Sequence, residues 1–204
     1  MIPSRTRPLG GGDLPAGYTR LEYLENVGRL YIMPDAVLGD EIELTFSAEY
    51  VNDTNRVVGA EYGTPAVALG IASNGALFIR VRNESQSFVY TPAAGHSKKH
   101  VVRIGATEIT VNGQVVSAAN YQMPELLPAQ FSLFGQIVYK ADLSFSRDLF
   151  AHPQSRIFRF RNWRGGILRG DYLPALDPAG VPCLFETISR RPFYKVGTGE
   201  LLYA

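Results

Sequence analysis

The segment "EIELTFSAEY", Glu41–Tyr50, alternates apolar and polar positions without a break. Ile42, Leu44, Phe46, Ala48 and Tyr50 fall on one face, and Glu41, Glu43, Thr45, Ser47 and Glu49 on the other. That period of two predicts a half-buried strand with one wet face. "ALFIRVRN", Ala76–Asn83, follows Asn74-Gly75, which in turn follows the apolar run "AVALGI". An Asn-Gly pair between two such runs predicts a hairpin, with Leu77, Ile79 and Val81 on one side and Phe78, Arg80 and Arg82 on the other. In "TEITVNGQVVS", Asn112-Gly113 sits between two β-branched runs, as a two-residue type I′ turn requires. "FSLFGQIVY", "ADLSF", "RIFRF" and "GILRGDYL" read as further short strands. One helical piece is predicted around Ser146–Gln154, ended by Pro153. Roughly ten short strands with Gly- and Pro-rich turns predict an all-β, two-sheet sandwich.

Residues 1–13 depart from this pattern. "MIPSRTRPLGGG" combines prolines, arginines and a triple glycine, and it has too little apolar surface to pack a core. It reads as a flexible N-terminal arm, either a free tail or a segment that orders on a neighbouring subunit. Residues 14–204 form the domain.

Charge narrows the function classes. Twenty basic and 19 acidic residues leave a net charge of +1, which gives no electrostatic reason to expect nucleic acid or a membrane surface as partner. The N-terminus has no apolar signal core, and no run reaches the ~18 apolar residues of a membrane helix. The expectation is a chain made in the cytoplasm. Cys183 is the single cysteine, so a disulfide framework and a thiolate metal site are both unsupported.

Candidate chemistry is sparse. A retaining glycosidase needs two carboxyl groups about 5–5.5 Å apart. Glu41 and Glu43, on one face of the alternating strand, come nearest, but they lack a third acid and read as a solvated face. No Gly-x-Ser-x-Gly elbow occurs, and no glycine-rich loop opens a helix. His96 and His100 lie in the polar run "GHSKKH" and read as exposed loop residues; His152 is the third histidine. Asp53 and Glu61 are conceivable calcium ligands without a dense acidic loop around them. No catalytic residue, metal or cofactor is therefore expected. A sugar site would combine an aromatic platform with planar polar groups. Phe78, Arg80 and Arg82 supply that mixture on one surface, with Tyr62 and Tyr90 as possible neighbours. Trp163 and Arg164, beside Gly165-Gly166, form a second candidate. The same residue types also suit a protein interface or a packed sheet face.

Two stretches carry a resemblance to a known family. "LPAGYTRLEYLENVGRLYI" is similar to the opening Gly-Tyr-Thr-x-Leu-Glu-Tyr-Ile-Glu-Ser-x-Gly-x-Gln-Tyr-Ile of a domain of phage and prophage virion proteins. The stretch from Arg156 to the C-terminus resembles the closing module of that domain. Ile157 and Phe160 match its first strand and Gly166 its turn. Leu168, Asp171, Tyr172 and Pro174 match a second strand, Gly180, Leu184, Phe185 and Glu186 a third, and Phe193 with Gly197-Thr198-Gly199 a last turn. The resemblance spans residues 14–204. It implies a concanavalin A-like, laminin-G-like jelly roll, that is, a two-sheet antiparallel sandwich. Tyr18, Leu21, Tyr23 and Leu24 are then expected to pack the first strand on the sandwich, with Glu22 and Glu25 at an edge or turn. Arg169-Gly170-Asp171 falls inside a family strand, with Gly170 and Arg169 departing from the pattern, so a cell-adhesive loop is not expected.

The resemblance implies a non-enzymatic structural protein of a virion, made in the bacterial host and docked on other virion proteins as a tail, fibre or decoration component. A homo-oligomer within the particle is expected. The alternative is a module that binds host-surface glycan, and a glycoside hydrolase is the remotest reading.

Overall fold

The structure, a computed structural model, describes residues 14–49, 55–62, 66–72, 76–82, 87–90, 99–105, 107–117, 130–140, 142, 144–150 and 154–204. These contain 18 strands, and no helix occurs among the described residues. In chain order the first nine are β1 (Thr19–Arg20), β2 (Leu24–Ile32), β3 (Glu41–Ser47), β4 (Asn55–Tyr62), β5 (Ala66–Ile71), β6 (Leu77–Arg82), β7 (Ser87–Tyr90), β8 (His100–Ile104) and β9 (Ile109–Val111). The second nine are β10 (Gln114–Ser117), β11 (Ser132–Leu133), β12 (Gly135–Tyr139), β13 (Phe145–Phe150), β14 (Ser155–Arg164), β15 (Ile167–Leu176), β16 (Pro182–Glu186), β17 (Arg191–Phe193) and β18 (Lys195–Tyr203).

Pairing is antiparallel except between β12 and β4. One run of neighbours is β7-β6-β5-β4-β12-β13. A second is β10-β9-β8-β3-β14-β15-β16-β17. β2 ties them together: it pairs with β14 at its start, with β11 at Ile32 and with β18 along its whole length. The result is one continuous sheet curled on itself. Val58, Leu69 and Ile79 from the first run and Ile42, Leu44, Phe46, Val102 and Phe160 from the second join a single buried cluster. Burial of this apolar surface is the main force holding the two runs together, at about 25 cal/mol per Å2.

Several local expectations hold. Ile42, Leu44 and Phe46 are fully buried while Glu41, Glu43 and Thr45 are half-buried, although Ser47, expected on the wet face, is buried at the end of β3. Asn112 and Gly113 both have positive φ, 52° and 81°, and close the β9–β10 hairpin as a type I′ turn must. Asn74-Gly75 lies outside the described residues, although β5 and β6 pair antiparallel around it.

Three expectations are corrected. The first part of the expected helix, Ser146–Phe150, lies instead in strand β13 (Phe145–Phe150), paired with β12 from Gly135↔Phe150 onward. Cross-strand pairing outweighs a local helical preference there; residues 151–153 lie outside the described set. The expected strand "ADLSF" starts only at Phe145, because Asp142 Oδ1 accepts hydrogen bonds from the Ser144 N–H and hydroxyl and makes a turn. Gly197-Thr198-Gly199 is not a terminal turn. It runs inside β18, where Gly199 lies opposite Gly28 and a Cβ on Gly199 would stand 2.9 Å from the Gly28 Cα.

The opening stretch has an unusual place. β14 and β15 form a hairpin closed by Gly165-Gly166, both at positive φ, and they stay paired from Arg164↔Ile167 to Phe160↔Tyr172. Beyond that they fork. β1 takes the β15 branch through Thr19↔Leu176 and Arg20↔Ala175, and β2 takes the β14 branch through Ile157↔Leu24 to Ser155↔Asn26. The chain between them wedges into the fork, with the Leu21 N–H donating to the Pro174 carbonyl at 3.0 Å. Leu21 and Leu24 enter the main core. Tyr18 instead packs at a tilt against Phe185, ring centroids 4.8 Å apart, over a small second cluster of Ala175, Cys183 and Phe185. Tyr23 is half-buried on the outer face, edge-on to Phe158 at 5.6 Å. Glu25, expected at an edge or turn, is buried and accepts a 2.7 Å hydrogen bond from Arg156 Nε.

Candidate functional site

The first surface is the row that β6 presents with Phe78 and Arg80. Register aligns Phe78 with Gly70 of β5, and Arg80 with Ala68, which in turn faces Gly59 of β4. Small residues therefore floor this part of the sheet, and a Cβ on Gly59 would stand 2.8 Å from the Val67 carbonyl oxygen. Larger side chains close over the floor. The guanidinium carbons of Arg56 and Arg80 lie 5.6 and 5.3 Å from the Phe78 ring centroid. Arg80 approaches Glu61 at 3.9 Å, and Gln136 Nε2 donates to Glu61 at 2.9 Å. Phe78 is left only 8% exposed. A sugar would have to displace both guanidiniums to reach the ring, so this row is a packed polar seam and not an open platform.

The other residues expected on this surface are only partly brought to it. Tyr90 pairs with Leu77, whereas Phe78 and Arg80 pair with Val89 and Ser87. Tyr62 follows Glu61 in β4, opposite Tyr139 of β12, and Arg82 pairs with Ala66. The side chains of Tyr62, Arg82 and Tyr90 lie outside the described set.

The second surface is the outer face of β8, β3, β14 and β15. Rows of opposite charge cross it, with Arg103 opposite Glu43, Glu43 opposite Arg161, and Arg161 opposite Asp171. Arg103 binds Glu41 at 2.6 Å, Arg161 binds Glu43, and Arg159 grips Asp171 through two hydrogen bonds of 2.7 and 2.6 Å. The bidentate bond to Asp171 holds the Arg159 guanidinium above its ordinary pKa, ahead of the opposing effect of burial. Trp163 is half-buried, with Arg161 and Arg103 centred 5.4 and 5.9 Å from its ring. Its neighbour Arg164 is exposed at the hairpin end.

This network revises the reading of the acids. Glu41 and Glu43 are half-buried ion-pair partners and not a freely solvated face. Each carboxylate is engaged by an arginine, an arrangement that orders a sheet face. Arg169-Gly170-Asp171 lies within β15, where Gly170 is buried and a Cβ on it would meet the Tyr172 ring at 2.6 Å. His100, expected in a solvent loop, is the buried first residue of β8, 6.0 Å from the Phe46 ring. His96, His152 and Asp53 lie outside the described residues. Among the described residues no group of three His, Cys, Asp or Glu side chains could hold a metal ion. Cys183 is buried, and burial pushes its thiol up to about 12.

The third surface escaped the sequence reading. β18 pairs with β2 alone among the described residues, so one edge of a nine-residue strand is free of a described ladder partner. Val196, Leu202 and Tyr203 along it, and Tyr194 just before it, are 42–48% exposed. A long edge with apolar side chains is a template for pairing with another chain. Its signal is present in "KVGTGELLY", an apolar-rimmed strand, but the two glycines read as a turn.

No family model matches the sequence, and no curated protein matches it.

Proposed function

We propose that the protein is a non-enzymatic structural module of a phage virion, built as a concanavalin A-like jelly roll, that docks on a neighbouring virion subunit through β18. The carrying observation is the β18 edge. The nine residues of β18 have no ladder partner among the described residues on the side away from β2, and Val196, Leu202 and Tyr203 are exposed along it. The occupant that fits is an extended strand of another subunit, which would add to the sheet by main-chain hydrogen bonds and cover the apolar side chains. Glu41, Glu43, Glu25 and Asp171, all bonded to arginines, support a scaffold over a hydrolase. A homo-oligomer within the particle accords with the same edge, since a strand edge also accepts its own copy.

Purified particles analysed by mass spectrometry and cryo-electron microscopy provide the test. The protein is expected at stoichiometric amounts, with density continuous from β18 into a neighbouring chain. Its absence from washed particles would sink the proposal.

A further inference from the structure

At the fork between β14 and β15 an open cleft of about 420 Å3 is lined by Arg20, Leu21, Glu22, Thr45, Lys99, Phe158 and Arg159. We infer that this cleft binds a singly charged carboxylated sugar, such as the acidic residue of a surface polysaccharide. The inference goes beyond subunit docking and uses residues remote in sequence from β18.

The cleft is made by two irregularities that the fold maintains. The wedge of β1 and the turn after it brings Arg20 and Glu22 to the mouth, because Arg20 pairs with Ala175 and Leu21 with Pro174. The pairing of β14 with β3 shifts between Ile157 and Arg159, leaving Phe158 as an extra residue. A bulge of this kind re-aims side chains. Here it lets two consecutive residues, Phe158 and Arg159, line the same cleft, which a regular strand would send to opposite faces.

Charge then selects the ligand. Arg159 is already bound bidentately by Asp171. Arg20 and Lys99 have no ion pair among the described residues, and Lys99 rests 4.1 Å from the centre of the Phe158 ring. The Arg20 guanidinium is destabilised, first by burial and next by the Arg159 charge, with only Asp171 in opposition. An incoming carboxylate between Arg20 and Lys99 would relieve that repulsion. Glu22, on the same wall, limits the surplus to about one charge, so a monoanion fits better than a polyanion. Thr45 and Glu22 on the lining would take hydroxyl groups, and the half-buried Phe158 would offer apolar contact to the sugar ring.

Titration calorimetry of the full chain against N-acetylneuraminic acid and D-galacturonic acid, with D-galactose and inorganic phosphate as controls, tests this. At least one acidic sugar should bind, more weakly as salt rises, while galactose does not. Arg20→Ala and Lys99→Ala should each weaken binding by about tenfold or more, the expected loss of a hydrogen bond to a charged group, with Arg20→Lys recovering part of it. Neither residue belongs to the core and both are exposed as whole residues, with only the Arg20 guanidinium partly enclosed, so their thermal midpoints should stay near that of the parent chain. Failure of both acidic sugars to bind would overturn the inference, as would binding unchanged in Arg20→Ala. Phosphate binding as tightly as the sugars would reduce the cleft to an adventitious ion site only.

Discussion

Asp171 shows how much one side chain organises. Its two carboxylate oxygens hold Arg159, its backbone N–H donates to Glu186 Oε1 at 3.1 Å, and its side chain is 7% exposed. Asp171→Asn would leave a half-buried guanidinium without its counter-charge and should cost about 2–3 kcal/mol of stability, discounted for the solvent that reaches Arg159. Urea denaturation would measure it, and a loss below about 0.5 kcal/mol would show that the pair is solvent-dominated. Cys183 makes the opposite point. Its thiol is buried and raised to about 12 from 9.0, so the folded state disfavours the thiolate. The stability it contributes is fully present below pH 9 and is lost as pH rises from there toward 12. Ellman's reagent should leave Cys183 unlabelled at pH 8 in the folded protein and label it fully in denaturant. Rapid labelling of the native chain would contradict this. Neither role was readable beforehand: the sequence shows an Asp in a strand and a lone Cys, while partner and depth come from strands far away in the chain.

Among elements, β18 depends on its glycines. Gly199 has φ +127° and faces Gly28, so Gly199→Ala would set a methyl group 2.7 Å from the Val27 carbonyl oxygen. The strain at that φ adds to the clash, and together they should cost about 3 kcal/mol. Gly180 is the control, with φ +80° and open space around it, and Gly180→Ala should cost only about 1 kcal/mol. Hydrogen exchange resolved by strand would show β18 and β2 losing protection in the first variant and nothing comparable in the second. Equal effects would mean that the close Gly28–Gly199 approach does not hold the strand. Element type was legible where pattern and turn chemistry agreed, as in β3 and in the Asn112-Gly113 hairpin. It misled where they conflicted. Local sequence favoured a helix over β13, and Gly-Thr-Gly resembled a turn, yet in both places pairing with a distant strand supplies the hydrogen bonds.

For the whole molecule, the proposed docking edge makes the sharpest prediction. Leu202→Glu changes a side chain that is 48% exposed, so the isolated protein should keep its thermal midpoint within about 1 °C while incorporation into particles falls severalfold. Quantitative mass spectrometry of assembled particles would measure this, and unchanged incorporation would exclude β18 as the docking edge. All-β class followed from the chain alone, because period-two alternation and Gly- or Asn-containing turns are local properties with only one regular solution. The absence of a bulk charge field followed from composition in the same way. Which faces are open did not follow. Phe78, Arg80 and Trp163 had the residue types of a binding surface, but whether an arginine reaches solvent or lies over a ring depends on the strands beside it. The fork that brings Arg20, Lys99 and Arg159 to one cleft, and the β18 edge that has no ladder partner among the described residues, depend likewise on pairings between segments more than a hundred residues apart. Such pairings are fixed by burial and backbone hydrogen bonding summed over the whole sheet, and no local stretch encodes them.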